Sequence, residues 1–169
     1  MRINKITSHT GLVINVIIET PRASQNKFTY DPELKIFKLK KTLPLGMVFP
    51  FDFGFIPNTK GQDGDPLDVL VIMDQPAYPG CLVESRIIAI LEAKQKDGKN
   101  KEIRNDRIVA ISVSSILYAD IQHLDELNKS MVSEIEAFFV HYMKAEGKIF
   151  SPIGWGQPEL ALKMIEKSK

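Results

Sequence analysis

The amino-acid sequence predicts an α+β domain in which strands come first and helices come last. Two observations support this prediction. Short β-branched and apolar segments, separated by Gly, Pro, Asp and Asn turns, fill roughly the first 115 residues. From Leu124 onward, apolar residues instead recur at three- and four-residue intervals. The first pattern is typical of a barrel or a sandwich, and the second of an amphipathic helix.

The strands can be placed from local composition. Each predicted segment combines β-branched or apolar residues with flanking turn residues, and the segments cover residues 12–19, 34–39, 69–73, 81–93 and 107–114. Between the second and third segments, VFPFDFGF (48–55) repeats Phe at every second position. This alternation places four aromatic rings on one side of an extended segment, although Pro50 and Gly54 make that segment irregular.

The C-terminal third is predicted to be helical. An amphipathic helix begins near Leu124 and ends near Gly147, a residue suited to the left-handed backbone that follows many helices. A second, short helix covers QPELALKMIEK, with Pro158 in its first turn. The sequence shows no internal repeat, and a chain of 169 residues need not split its core, so we expect a single domain over residues 1–169.

Composition excludes several classes of protein. With 44% hydrophobic and 25% charged residues, the chain is typical of globular proteins. A formal net charge of +1 gives no general attraction for nucleic acid or for an anionic membrane. No window approaches the roughly 18 to 20 apolar residues of a membrane span, and MRINKITSHTGLV lacks the apolar stretch of a signal peptide. The lone Cys81 cannot form an internal disulfide, so we expect a cytoplasmic protein with Cys81 buried as a small apolar residue.

The segment GQDGDPLDVLVI (61–72) gathers three aspartates, Asp63, Asp65 and Asp68. Asp63 and Asp65 alone suit an ordinary turn. In an extended strand, however, Asp68 shares a face with Leu70 and Ile72, where an unpaired carboxylate is costly to desolvate. It therefore needs a cation, either a Lys or Arg from another strand or a hard divalent ion held by several oxygens. The spacing leaves both alternatives open, and it does not match an EF-hand loop.

The same segment carries a family resemblance. DGDPLDVLV resembles the signature of the soluble family I inorganic pyrophosphatases, and four other segments are similar to that family: VIIETPRASQNKFTYDPEL, MVFPFDFGFIPNT, YPGCLVESRIIAIL and FFVHY. The resemblance spans most of residues 12–145. It implies an OB-like five-stranded β-barrel with flanking C-terminal helices, and hydrolysis of inorganic pyrophosphate. It also implies Mg²⁺ as cofactor and a homo-oligomer, a hexamer being the usual bacterial form.

The resemblance also assigns roles to individual residues. It implies that Asp63, Asp65 and Asp68 are metal ligands, with Asp65 beside the nucleophilic water as general base, and that Glu19 contacts metal through water. Four residues would bind the substrate: Lys27, Lys41, Arg107 and Tyr142. For the remaining metal ligand we favour Asp106 over Glu102. Strict alternation would place Asp106 on the opposite face of its strand, so this assignment needs a backbone bulge.

Several positions depart from the commonest family pattern. Phe49 and Phe53 replace tyrosines, and the second replacement removes a hydroxyl that could bind phosphate. Further replacements are Thr29 for a glutamate, Lys41 for an arginine, Arg107 for a lysine, Asn105 for an acidic ligand and Met143 for a lysine. Lysine keeps the charge of arginine but loses its bidentate fork. We therefore expect weaker or rearranged substrate contacts.

Two other functions are consistent with parts of the sequence. The departures would also suit a weakened relative that binds phosphate compounds or metal without efficient turnover. An OB-like barrel with a row of phenylalanines could instead stack on single-stranded nucleic acid. Against this, alternating aromatics are more often core residues, and the net charge is near zero. The three histidines, His9, His123 and His141, are too scattered for a zinc site.

Overall fold

The computed structural model describes residues 3–97 and 102–168. Within these ranges it contains ten strands, two α-helices and two short 3₁₀ helices. The first six strands are β1 (His9–Thr10), β2 (Val13–Thr20), β3 (Asn26–Asp31), β4 (Ile36–Thr42), β5 (Asp52–Phe55) and β6 (Asp68–Ile72). The others are β7 (Leu82–Asp97), β8 (Ile103–Arg104), β9 (Arg107–Ser112) and β10 (Lys148–Gly156), and the helices are α1 (Lys129–Ala145) and α2 (Pro158–Lys167).

Five strands close into a barrel. The neighbours run β2-β5-β6-β9-β7, and β7 pairs back onto β2 to complete the ring. The β6–β9 pair is parallel, whereas the other four pairs of the ring are antiparallel. Both helices follow the barrel strands in the chain. The predicted α+β class, with a five-stranded OB-like barrel and C-terminal helices, is therefore confirmed.

The last strand was not predicted from the sequence. β10 lies antiparallel to the long β7, from Lys148 opposite Asp97 to Gly156 opposite Ile90. Pro152 and two glycines interrupt the alternation that would have indicated a strand, and the register shifts between Pro152 and Gly154. A bulge at this point accommodates a proline, which has no N–H to donate to the ladder.

Both helices end where the sequence predicts, but α1 begins later than predicted. The side chain of Asn128 caps α1 by accepting a hydrogen bond from the Ser130 N–H, and Gly147 follows the helix with φ +72°. α1 begins later than Leu124, because residues 124–126 form a 3₁₀ turn first. In α2, Pro158 stands in the first turn, as predicted.

Most of the alternating phenylalanines are core residues. Phe49, Phe51 and Phe53 join the apolar cluster that also holds Phe139 of α1 and Phe150 of β10. The last phenylalanine of the row lies in a smaller cluster with Ile3 and Ile17. With Phe49 fully buried and Phe53 2% exposed, these two rings have no free face on which a base could stack.

One sequence-based expectation is wrong. Cys81 is exposed, not buried. It directly follows the turn at Tyr78–Gly80, where its N–H donates to the Tyr78 carbonyl at 3.0 Å and its own carbonyl accepts from Ile18 N at 3.0 Å. The backbone of Cys81 is thus held against β2, while its side chain faces solvent.

No helix among the described residues is both long enough and apolar enough to cross a membrane.

Candidate active site

A cavity of about 650 Å³ opens where the aspartate turn, the β3–β4 hairpin and the C-terminal end of α1 meet. Its walls carry an acidic set and a basic set of side chains. The acidic set near the aspartate turn is Glu19, Asp63, Asp65 and Asp68, Glu146 is a fifth lining carboxylate, and the basic set includes Lys27, Lys40, Arg107 and Lys148. Tyr142 also lines the cavity. Sequence positions from 19 to 148 therefore converge on one site.

The turn before β6 presents the aspartates. The Gly61 N–H donates to the Asp65 carbonyl at 2.7 Å, and the Asp63 carboxylate accepts from Asp65 N at 3.2 Å. These two bonds fold residues 61–65 into a tight loop. Burial raises the pKa of Asp63 above its usual range, and repulsion from Asp68 and Asp65 adds to this effect. The loop therefore concentrates negative charge that a cation would relieve.

Arg107 supplies one cation for Asp68. β9 lies parallel to β6, and the Arg107 Nη1 approaches Asp68 Oδ2 to 2.9 Å. The guanidinium also donates to the Asn105 side chain and to the Asp106 carbonyl, and it lies 5.5 Å from the centroid of the Phe139 ring. The arginine from another strand, one of the two alternatives left open by the sequence, is therefore present.

Glu19 is held at the end of β2. The side chain is buried, and its Oε1 accepts hydrogen bonds from the Tyr30 N–H at 2.7 Å and the Thr29 hydroxyl at 3.2 Å. Burial raises its pKa, with a further contribution from the nearby Asp68, although the Tyr30 bond opposes the rise. Thr29, which replaces the glutamate of the family pattern, therefore orients Glu19.

The basic set depends on a bulge in the β3–β4 hairpin. Lys27 pairs with Lys41, whereas Phe28 already pairs with Leu39, so Lys40 is the extra residue of the ladder. The Lys27 Nζ donates to the Tyr142 hydroxyl at 2.8 Å and lies 5.2 Å from the centroid of the Phe53 ring.

Lys41 also lies against the Tyr142 ring. Its Nζ is 4.7 Å from the ring centroid and forms an ion pair with Glu146. Burial lowers the pKa of Lys41 to about 8, with repulsion from Lys27, Lys40 and Lys148 contributing.

Two predicted ligands lie elsewhere. Asp106 accepts from the Ala93 N–H at 2.8 Å and from Arg104 Nη2 at 3.0 Å, and it lines a second cavity of about 390 Å³. Glu102 forms an ion pair with Lys94 at 2.6 Å. Asn105 and Arg107 line the candidate site, whereas Asp106 lines only the second cavity, which shares Asp63, Asp68 and Asn105 with the first.

Sequence reasoning also missed residues of the site. Lys40, Gln95, Glu146 and Lys148 all line the cavity. The bulge that turns Lys40 toward the cavity cannot be predicted from the sequence, because several lysines follow one another there and any of them could be the extra residue. Glu146 and Lys148 could have been suspected, because they flank the glycine that ends α1 close to Tyr142.

The acidic set suits a hard divalent cation. Carboxylate oxygens are the ligands such ions prefer, and repulsion from Asp68 already makes the charged form of Asp63 more costly. In the described ranges, no three His, Cys, Asp or Glu side chains converge at metal-binding distances. A magnesium-like ion does not require this, since it is commonly held by one or two carboxylates and keeps several waters. The residues present therefore fit such an ion.

An acidic turn, a buried glutamate and a lysine cluster on a closed barrel suit the class of hydrolases that act on phosphorylated substrates. Comparisons with known proteins narrow the class. The family model described as inorganic pyrophosphatase matches residues 16–169. The inorganic pyrophosphatase of Synechocystis sp. is 37% identical over 155 residues, covering 92% of this chain and 89% of that protein. The one from Methanosarcina acetivorans is 36% identical over 157 residues, covering 93% and 90%.

Solved structures agree with the sequence comparisons. The crystal structure of an inorganic pyrophosphatase from Neisseria gonorrhoeae superposes with a TM-score of 0.89 at 30% identity, covering 99% of this chain and 96% of that one. The Thermus thermophilus inorganic pyrophosphatase also gives a TM-score of 0.89, at 29% identity, covering 99% and 97%. This chain belongs to the inorganic pyrophosphatase family.

Proposed function

We propose that this chain hydrolyses inorganic pyrophosphate to two phosphates with Mg²⁺ as cofactor. The observation that carries the proposal is the single cavity in which four carboxylates face the same space as Lys27, Arg107 and Tyr142. Pyrophosphate carries several negative charges on adjacent phosphoryl groups, so its hydrolysis needs cations for the substrate and a base for the attacking water. The two sets of side chains meet both needs.

The basic set would bind the substrate. Lys27 and Arg107 offer positive charge to phosphoryl oxygens, and the Tyr142 hydroxyl, held by Lys27 at 2.8 Å, offers a hydrogen bond. Lys41 lies against the Tyr142 ring, and once it no longer pairs with Glu146 it would offer a further positive charge to the substrate. Phe53 brings no hydroxyl to the cavity wall, so substrate binding depends more strongly on these charged groups.

The acidic set would organise the reaction. Asp63 and Asp68 would hold the metal directly, with Glu19 reaching it through water. When bound, Mg²⁺ lowers the pKa of a coordinated water and neutralises phosphoryl charge. Asp65, exposed at the tip of the turn, would accept the proton from the attacking water. Asp106 shares the second cavity with Asp63 and Asp68, and its assignment as a metal ligand, like that of Glu102, stays a prediction.

A direct assay tests the proposal. Phosphate release from magnesium pyrophosphate is measured for the parent protein and for the Asp65→Asn and Asp68→Asn variants, with the exposed Asp120→Asn as a matched control. We expect turnover in the parent and control, and a loss of about 100-fold or more in both site variants. A parent without turnover, or site variants as active as the control, would refute the proposed function.

A relative that binds without efficient turnover is not favoured. The match to an inorganic pyrophosphatase covers 92% of this chain. The four residues of the acidic set also face one cavity. Titration with pyrophosphate distinguishes the two functions, since such a relative would bind but release no phosphate. The homo-oligomer implied by the resemblance and the cytoplasmic location expected from the lone cysteine stay predictions, and light scattering after size exclusion tests the first.

A further inference from the structure

Lys27, Lys40 and Lys148 line the cavity, and Lys41 lies close to them against the Tyr142 ring. Lys27 and Lys41 face each other across the β3–β4 ladder. Each of Lys27, Lys40 and Lys148 repels Lys41 strongly enough to contribute to the lowering of its pKa. Such a cluster is costly without an anion, and the free protein must supply one when substrate is absent.

Glu146 supplies that anion. It stands at the C-terminal cap of α1, where its N–H is bonded to helix carbonyls and its position is therefore fixed. Its carboxylate pairs with Lys41, and both side chains are mostly shielded from water, with 29% of Lys41 and 20% of Glu146 exposed. Glu146 itself lines the substrate cavity. The carboxylate thus occupies the place beside Lys41 where a phosphoryl oxygen would otherwise be attracted.

We propose that Glu146 is a positioning residue that competes with phosphate for Lys41. In the free enzyme its carboxylate pairs with this lysine and holds it against Tyr142, and the pair forms again when product phosphate leaves. The inference rests on the proposed function, because it assigns Lys41 to substrate. Glu146 does not touch the reacting atoms in this account. It acts through Lys41, lowering the affinity for anions and so favouring release of product.

The arrangement has a specific consequence for binding. Removing the competing charge, as in Glu146→Gln, leaves Lys41 available to phosphate. We expect the affinity for inorganic phosphate to rise about fivefold, as for a partly exposed ion pair, and the KM for pyrophosphate to fall by a similar factor. kcat should fall as well, because a more tightly held product leaves more slowly.

The experiment combines two measurements. Binding of inorganic phosphate is followed by calorimetry, and KM and kcat are obtained from steady-state hydrolysis of magnesium pyrophosphate. The matched control is Glu134→Gln, the same substitution on an exposed residue of the same helix. In the control neither phosphate affinity nor KM should change.

A double-mutant cycle separates competition from a merely structural role. In the Lys41→Gln background, Glu146→Gln should no longer raise phosphate affinity, because the lysine that the two anions share is absent. An unchanged or weaker phosphate affinity in Glu146→Gln, or the same gain with and without Lys41, would overturn the inference. If Glu146→Gln does not fold, Glu146→Asp replaces it, with a smaller gain in phosphate affinity expected because the shorter carboxylate holds Lys41 less firmly.

The two proposals fail in different ways. A parent enzyme without turnover refutes the proposed function. A parent that turns over normally, with phosphate affinity insensitive to Glu146→Gln, refutes only the competition.

Discussion

Replacing Arg107 by methionine tests whether the ion pair at the centre of the site stabilises the fold. Arg107 is 5% exposed and Asp68 is 25% exposed, at an Nη1–Oδ2 distance of 2.9 Å. Removing one partner of a fully buried pair costs about 3–5 kcal/mol, because the other charge is left without compensation. Since Asp68 keeps contact with water, we expect the free energy of unfolding to fall by about 2–3 kcal/mol. Methionine loses the cation–π contact of the guanidinium with Phe139, but its long apolar side chain still packs against this ring.

Urea denaturation at pH 7 with a chelator measures this loss. For a domain of this size, 2–3 kcal/mol moves the midpoint by about 1–2 M urea. The matched comparison is the same substitution in the Asp68→Asn background, where no carboxylate is left unpaired and the cost should be smaller by about 1 kcal/mol or more. A loss below about 0.5 kcal/mol, or equal losses in both backgrounds, would refute the stabilising role of the pair.

Three further predictions concern the barrel and the site. Gly54→Ala places a Cβ 2.1 Å from the Ile17 carbonyl oxygen, so we expect a loss of about 3 kcal/mol or more in urea denaturation. Phe53→Tyr returns a hydroxyl to the cavity wall and should lower KM for pyrophosphate about threefold, and a higher KM would show a pocket rebuilt around the phenyl ring. The pKa of Lys41 is about 8, so its positive charge is lost above that pH and KM should rise. Lys41→Arg, which stays charged, should lack this rise in parallel pH–KM profiles.

Much of the fold could be predicted from local pattern. Four barrel strands and both helices follow from apolar periodicity and from Gly147 and Pro158, whose effects act within a few residues, whereas the segment predicted at 34–39 pairs with β3 outside the barrel. β10 could not be predicted, because Pro152 and its glycines conceal a strand whose pairing depends on the distant β7. The outward orientation of Cys81 depends on a turn and on Ile18 of β2, which no local pattern specifies.

The functional site, like the fold, could be predicted from the sequence only in part. By itself the sequence determined that Asp68, on an apolar strand, needs a cation, because desolvating a lone carboxylate is costly wherever the strand lies. The family resemblance also pointed to the acidic turn and to Lys27 and Lys41. Only the tertiary structure decided that the cation beside Asp68 is Arg107, that Asp106 faces a different cavity, and that Glu146 meets Lys41. These contacts join residues far apart in the chain, and they depend on barrel closure, strand alternation and one bulge, which act at long range.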